Sequence, residues 1–187
     1  LKLQQLVDLD ELNGSFWARI PGTEKSRVFP SLVAYMATLI LYRLKVLGLI
    51  AYKQGQYPEA LQLMLQCLQV IPDLAEAYSD LGVVLKDMGR LDEAKDACEK
   101  AIALKPGFCP AYSNLGNILK AQGKLEASAS AYRRALALEP GFAEALINLA
   151  NVLVIMGHPE EALPVAQNAV SLAPLHAEAH VVLGHAL

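Results

Sequence analysis

The sequence predicts an all-α solenoid of stacked helix–turn–helix units with an irregular helical cap at its N-terminal end. Three observations carry that prediction. The first is a step of 34 residues. Pro72, Pro106, Pro140 and Pro174 keep it, as do Ala77, Ala111, Ala145 and Ala179. Gly82, Gly116, Ala150 and Gly184 keep it too, and so do Gly55, Gly89, Gly123 and Gly157. Self-similarity at a fixed period of this size marks a repeat architecture. The second is the pattern inside a unit: Tyr112, Leu115, Ile118 and Leu119 fall on one face of a helix. The third is composition: with 54% of its residues apolar or aromatic, the chain can fill a sizeable core and is not of the disordered class.

In chain order, LKLQQLVDLDEL (1–12) reads as an amphipathic helix and Asn13–Pro30, with two Pro and two Gly, as a loop. Ser31 can cap a helix that runs to about Lys53. At 1.5 Å per residue it would be roughly 34 Å long, too long for one repeat helix. It therefore merges a degenerate helix with the first repeat and covers the solenoid end. The expected organisation is an N-terminal cap over 1–40 and a solenoid over 41–187. The repeats fall at about 41–74, 75–108, 109–142 and 143–176, with a partial one over 177–187. Within each unit a Gly such as Gly123 ends the first helix, because it accepts the left-handed cap cheaply. A Pro such as Pro140 stops the second, lacking the N–H a continuing helix needs. Neither helix buries its face alone, so neighbours must stack. The partial fifth unit would leave an apolar side open, and a longer parent protein is expected from it.

These columns resemble the tetratricopeptide repeat, whose pattern runs large residue, Leu-Gly, large residue, Ala, aromatic, Ala, Pro. The second unit reads Tyr78, Leu81-Gly82, Leu85, Ala94, Cys98, Ala101, Pro106. The third reads Tyr112, Leu115-Gly116, Leu119, Ser128, Tyr132, Ala135, Pro140, and the fourth Leu146, Leu149-Ala150, Leu153, Ala162, Ala166, Ala169, Pro174. The resemblance implies a right-handed superhelix in which Gly82, Gly116 and Gly184 allow close helix approach, as Ala94 and Ala162 do on the second helices.

It also implies that the first helix of each repeat lines a concave groove. The groove residues expected to bind a partner are then Asp80, Val83 and Lys86, Asn114, Asn117 and Lys120, and Asn148, Asn151 and Val154. Asn is a mediocre helix former, yet NLGN (114–117) recurs one period later as NLAN (148–151). Amides both donate and accept, so they suit the backbone of an extended peptide. They could equally tie neighbouring repeats together. The carboxylate clamp of chaperone-binding members would need cations and amides where Leu49, Asp80, Glu178 and Val182 stand, which disfavours that role. The Asn pairs look more like the Asn ladder in the repeat region of O-linked N-acetylglucosamine transferases, whose sugar-transfer domain is separate.

No catalytic constellation is present: GxGxxG, Walker and GxSxG motifs are absent. Glu160-Glu161 and Asp92-Glu93 read as helix-dipole and solvent charges. His176 and His180 are four apart but have no third ligand at sensible spacing, so no metal and no cofactor are expected. With 16 basic and 19 acidic residues the chain lacks the basic excess that nucleic acid demands. The most apolar stretch, Val28–Tyr42, is 15 residues long, short of the ~20 a membrane span needs. Cys67, Cys98 and Cys109 form no CxxC pair and read as buried hydrophobes of a reducing compartment, the cytoplasm. The expected function is non-enzymatic: a scaffold that binds a protein or peptide. The alternative is the substrate-recognition region of a larger glycosyltransferase with its catalytic domain beyond residue 187. The apolar helix over 31–53 offers a homo-oligomer contact.

Overall fold

A computed structural model describes residues 39–40 and 42–187 and, among these, shows helices joined by short turns. Residues 1–38 lie outside the described residues. So do the helix expected over 1–12, the loop over 13–30 and the start of the helix expected from Ser31. Residues 41–187 form one unit. Its first helix, α1, covers residues 42–53, and residues 39–40 are helical as well. After it come α2 (Tyr57–Val70), α3 (Ala75–Asp87), α4 (Leu91–Leu104), α5 (Cys109–Ala121), α6 (Leu125–Leu138), α7 (Ala143–Ile155), α8 (Pro159–Leu172) and α9 (Ala177–Ala186).

Helices of 13 and 14 residues, such as α3 and α4, are marginal on their own in water. None of α2–α9 gains a side-chain hydrogen bond at its N-cap, so packing must hold them. Each helix pair turns at a glycine with φ between 74° and 79°, at Gly55, Gly89, Gly123 and Gly157. At Gly89 the turn closes with Gly89 N–H donating to Lys86 O and Arg90 N–H to Leu85 O, both at 2.9 Å. A side chain with Cβ would be strained at that φ.

The core is a row of clusters, each spanning adjacent repeats. Met64, Leu81, Leu85, Cys98 and Ile118 form one. Tyr132, Ala145, Leu149, Val152 and Ala162 form the next. Leu146, Ile147, Ala150, Ala166, Ala179 and Val182 form a third.

The close-approach column interlocks with the residue 16 positions later. A Cβ placed on Gly48 would sit 2.7 Å from Met64 Cε, one on Gly82 2.5 Å from Cys98 Sγ, and one on Gly116 2.5 Å from Tyr132 Cε1. Where the column changes to Ala150, its counterpart shrinks to Ala166, and both are fully buried. The sum of the two side chains is thus held near what the gap accepts. Gly184 departs from the expectation: a Cβ there would meet nothing within 4 Å, because the position that would press on it, 16 residues later, falls beyond residue 187. Ala94 and Ala162 are fully buried, as is Ser128 between them in the column, whose hydroxyl donates to Gly116 O at 2.7 Å.

Pro164 sits inside α8 without ending it. It is on the exposed side, where water can serve the carbonyl that loses its N–H partner. Among the described residues no helix is long and apolar enough to cross a membrane.

Candidate functional site

The first helices of successive repeats touch one another, α3 on α5, α5 on α7 and α7 on α9, and no pair of second helices comes as close. In a curved stack the elements at the smaller radius crowd together. The first helices therefore form the inner face, and α4, α6 and α8 the outer one. All nine residues expected on the groove are half-buried, neither core nor fully exposed.

Their chemistry divides. Asn114 Nδ2 donates to the buried Ser79 Oγ at 2.9 Å, joining α5 to α3. One repeat earlier the same pair of positions holds Lys45 and Asp80, Nζ to Oδ2 3.9 Å. Burial pushes the Asp80 carboxyl up from its ordinary value and Lys45 draws it partly back. One repeat later than Asn148, the pair is apolar, Ile147 and Val182, both buried. These positions form a seam that welds repeat to repeat.

Asn117 is also committed. Its Oδ1 accepts from the Tyr132 hydroxyl at 2.7 Å, and burial pushes that phenol far up, so it stays a donor. The counterpart of Tyr132 one repeat on is Ala166, which has no hydroxyl to donate, and no hydrogen bond to the Asn151 side chain forms among the described residues. Asn151 is therefore a half-buried amide of this face with unused capacity.

Two ammonium groups complete the face. Lys86 Nζ lies 2.9 Å from Asp87 Oδ1, and the Tyr52 hydroxyl donates to Asp87 Oδ2 at 2.6 Å. Burial works against the Asp87 carboxylate, but the bonds from Tyr52 and Lys86 outweigh it and hold its pKa below the ordinary value. Tyr52 rises to about 12 through burial and its bond to that carboxylate. Lys120 has only a neutral acceptor, Asn148 Oδ1 at 3.4 Å. Burial pulls its pKa down, the field of Glu178 raises it and Lys86 lowers it again. Val83 and Val154 add apolar surface between the polar groups.

The outer face differs in kind. Its charges are exposed and satisfied locally: Arg90 with Glu93 at 2.6 Å, Lys95 with Glu99 at 2.9 Å, Arg133 with Glu161 at 3.0 Å. Such pairs contribute little energy and solvate the surface.

Among the described residues no group of three His, Cys, Asp or Glu could hold a metal ion. His180, exposed, has Nε2 2.8 Å from Pro174 O. Cys67 and Cys98 are buried, and burial lifts the Cys98 thiol to about 12. Cys109 is half-buried, its Sγ 2.8 Å from Glu139 Oε2. Burial and that carboxylate raise it to about 11, which makes it a thiol and a poor nucleophile. Sequence reasoning missed two hydroxyls that bear on this face, those of Tyr132 on Asn117 and of Tyr52 on Asp87. The spacing of 15 between Asn117 and Tyr132 was the available signal for the first.

Tetratricopeptide repeat models match the chain in an overlapping run, at residues 37–106, 97–128, 116–157 and 147–187. No curated protein matches it. Among solved structures it is similar to MamA, with 25% identity over 74% of this chain and 81% of that one and a TM-score of 0.65. It is similar to the first TPR of Spaghetti (RPAP3) bound to HSP90 peptide SRMEEVD, with 27% identity over 63% of this chain and 93% of that one, TM-score 0.59. It is also similar to a mutant O-GlcNAc transferase of Thermobaculum terrenum, with 26% identity over 72% of this chain but 26% of that one, TM-score 0.68. The unbroken run of matches and the 34-residue step make residues 37–187 a stretch of tetratricopeptide repeats and this chain a member of that family.

Proposed function

We propose that this chain is a non-catalytic scaffold that holds an extended peptide or a helix of a partner protein along the inner face of α3, α5 and α7. The observation that supports it most is the half-buried Asn151 amide, which makes no side-chain hydrogen bond among the described residues, together with Lys120 one repeat earlier, which has only a neutral acceptor. Half-buried polar groups left without full partners gain from a ligand that supplies them. An extended backbone offers both carbonyls and N–H groups for that purpose.

The test is selection from a random linear library of twelve-residue peptides. Binders should lose about tenfold in affinity when Asn151→Ala and Lys120→Ala are combined, the loss of one or two hydrogen bonds. They should be unaffected by Arg134→Glu on the outer face. Equal losses from both changes, or none from the first, would sink the proposal.

A second reading is favoured by the similarity to the transferase: the same face acts as the substrate-recognition region of a larger glycosyltransferase. The parent protein should then transfer N-acetylglucosamine from a nucleotide sugar to hydroxyls of the selected peptides. Intact peptide binding with no transfer would remove this reading. Two further elements belong to the proposal. Burial of Cys67 and Cys98, which no disulfide joins, fits a reducing, cytoplasmic compartment. The helix expected over 31–53 would join two copies; its described part exposes Tyr42, Leu47 and Ile50. Size-exclusion of the chain lacking residues 1–40 should show a smaller assembly, and an unchanged one counts against this contact.

A further inference from the structure

The seam between first helices is broken at one place. Ser79 and Asn114 bond at 2.9 Å. One period on, Ser113 and Asn148 occupy the same two positions, yet the Ser113 hydroxyl is fully buried and has no hydrogen-bond partner. An orphan buried hydroxyl costs free energy that its homologue one repeat earlier does not incur. The Asn148 amide has been diverted: its Oδ1 faces Lys120 Nζ at 3.4 Å.

The two repeats differ at one of two adjacent positions, Lys86-Asp87 in one and Lys120-Ala121 in the other. Lys86, the counterpart of Lys120, is occupied by Asp87 at 2.9 Å and so leaves Asn114 to Ser79. The counterpart of Asp87 is Ala121, an exposed residue with no carboxylate. Lys120, with no acid at the next position of its own repeat, contacts Asn148, and the carboxylate whose field reaches it is Glu178, one first helix further on than Asn148. The seat that Asp87 fills is framed by Tyr52 and Lys86. Shifted by one period, Lys86 stands in the place of Tyr52 and Lys120 in the place of Lys86, with Ala121 where the acid would be.

We propose that a side-chain carboxylate of the bound peptide takes the seat over Ala121, pairs with Lys120, and thereby frees Asn148 to bond Ser113. The partner's acid would complete in this repeat what Asp87 completes in the one before. Binding and the stacking of α7 on α5 are then coupled: the occupied face has a closed seam and the empty face an open one. This rests on the reading of the inner face as the peptide site. It adds the chemistry of the ligand and a consequence inside the protein.

The internal part is tested without any ligand. Ala121→Asp supplies the acid in cis. Ser113→Ala in the wild-type background should leave the melting temperature unchanged or raise it, because it removes an orphan group. In the Ala121→Asp background it should lower it by about 2–4 °C, because it now breaks a bond. The quantity that matters is the difference between the two effects, which cancels the helix propensity of the introduced acid itself. Ser79→Ala should lower the melting temperature in both backgrounds. An identical effect of Ser113→Ala in the wild-type and Ala121→Asp backgrounds overturns the exchange.

The external part uses the peptide library. Peptides selected by the wild type should be enriched in Asp and Glu. Replacing that acid by its amide should weaken binding about tenfold, as for a lost charge-assisted bond, and Ala121→Asp should abolish the preference. Binders without acidic residues, or an acid preference that survives Ala121→Asp, overturn the carboxylate seat while leaving the peptide face standing. If no binder depends on the inner face, that reading and the seat fail together. The melting comparison still decides the exchange by itself.

Discussion

The third and fourth repeats carry nearly the same words, SNLGNIL and INLANVL, and do different things with them. In the third, Gly116 accepts the ring of Tyr132, whose hydroxyl then occupies Asn117. In the fourth, Ala150 faces Ala166, and nothing reaches Asn151. One substitution on the opposing helix decides whether an identical amide is a structural acceptor or an available one. A motif read on one helix therefore has no fixed role until its counterpart 15 residues later is read with it.

The contrast between the repeats breaks most severely at Tyr132. It is fully buried, and Tyr132→Ala should cost about 3–5 kcal/mol by thermal melting, the range for a large aromatic lost from a core. The corresponding truncation is already present in the fourth repeat, where Ala166 costs nothing because Ala150 fills part of the space. Next in size is Gly116→Leu. It drives a side chain into the Tyr132 ring and should cost about 1–3 kcal/mol. The cost should fall in a Tyr132→Ala background, and purely additive effects would contradict the interlock. Smaller again is Tyr132→Phe, which keeps the packing and removes the bond to Asn117. A loss of about 1 kcal/mol is expected, with Asn117 becoming as available as Asn151.

How far the sequence foretold this follows from the type of signal each feature leaves. The 34-residue columns place every helix pair in the described residues. Gly and Pro punctuate the backbone locally and need no partner to be read. The close approach at Gly82 and Gly116 was legible for the same reason. At the expected site the sequence did not reveal which side chains are already engaged. All nine residues named for it are half-buried on first helices, yet Asn114 is engaged by Ser79 and Asn117 by Tyr132. Those bonds join residues 35 and 15 apart through stacking. Only the geometry of neighbouring helices reveals them. The orphan Ser113 was invisible for the same reason: whether its hydroxyl is paired depends on where the Asn148 amide of the next first helix goes, and Asn148 contacts Lys120.

The two matching amides thus differ in the structure, Asn117 being bonded to Tyr132 and Asn151 making no side-chain hydrogen bond among the described residues, and the proposed function gives binding to Asn151. The direct measurement is to make Asn117→Ala and Asn151→Ala separately, then record the melting temperature and the affinity for a peptide selected by the wild type. Asn117→Ala should lower the melting temperature by about 2–4 °C, since it strands the buried Tyr132 hydroxyl, and leave affinity within about twofold. Asn151→Ala should leave the melting temperature unchanged and weaken binding several-fold. The opposite assignment, with Asn117 controlling affinity and Asn151 controlling melting, would contradict this division.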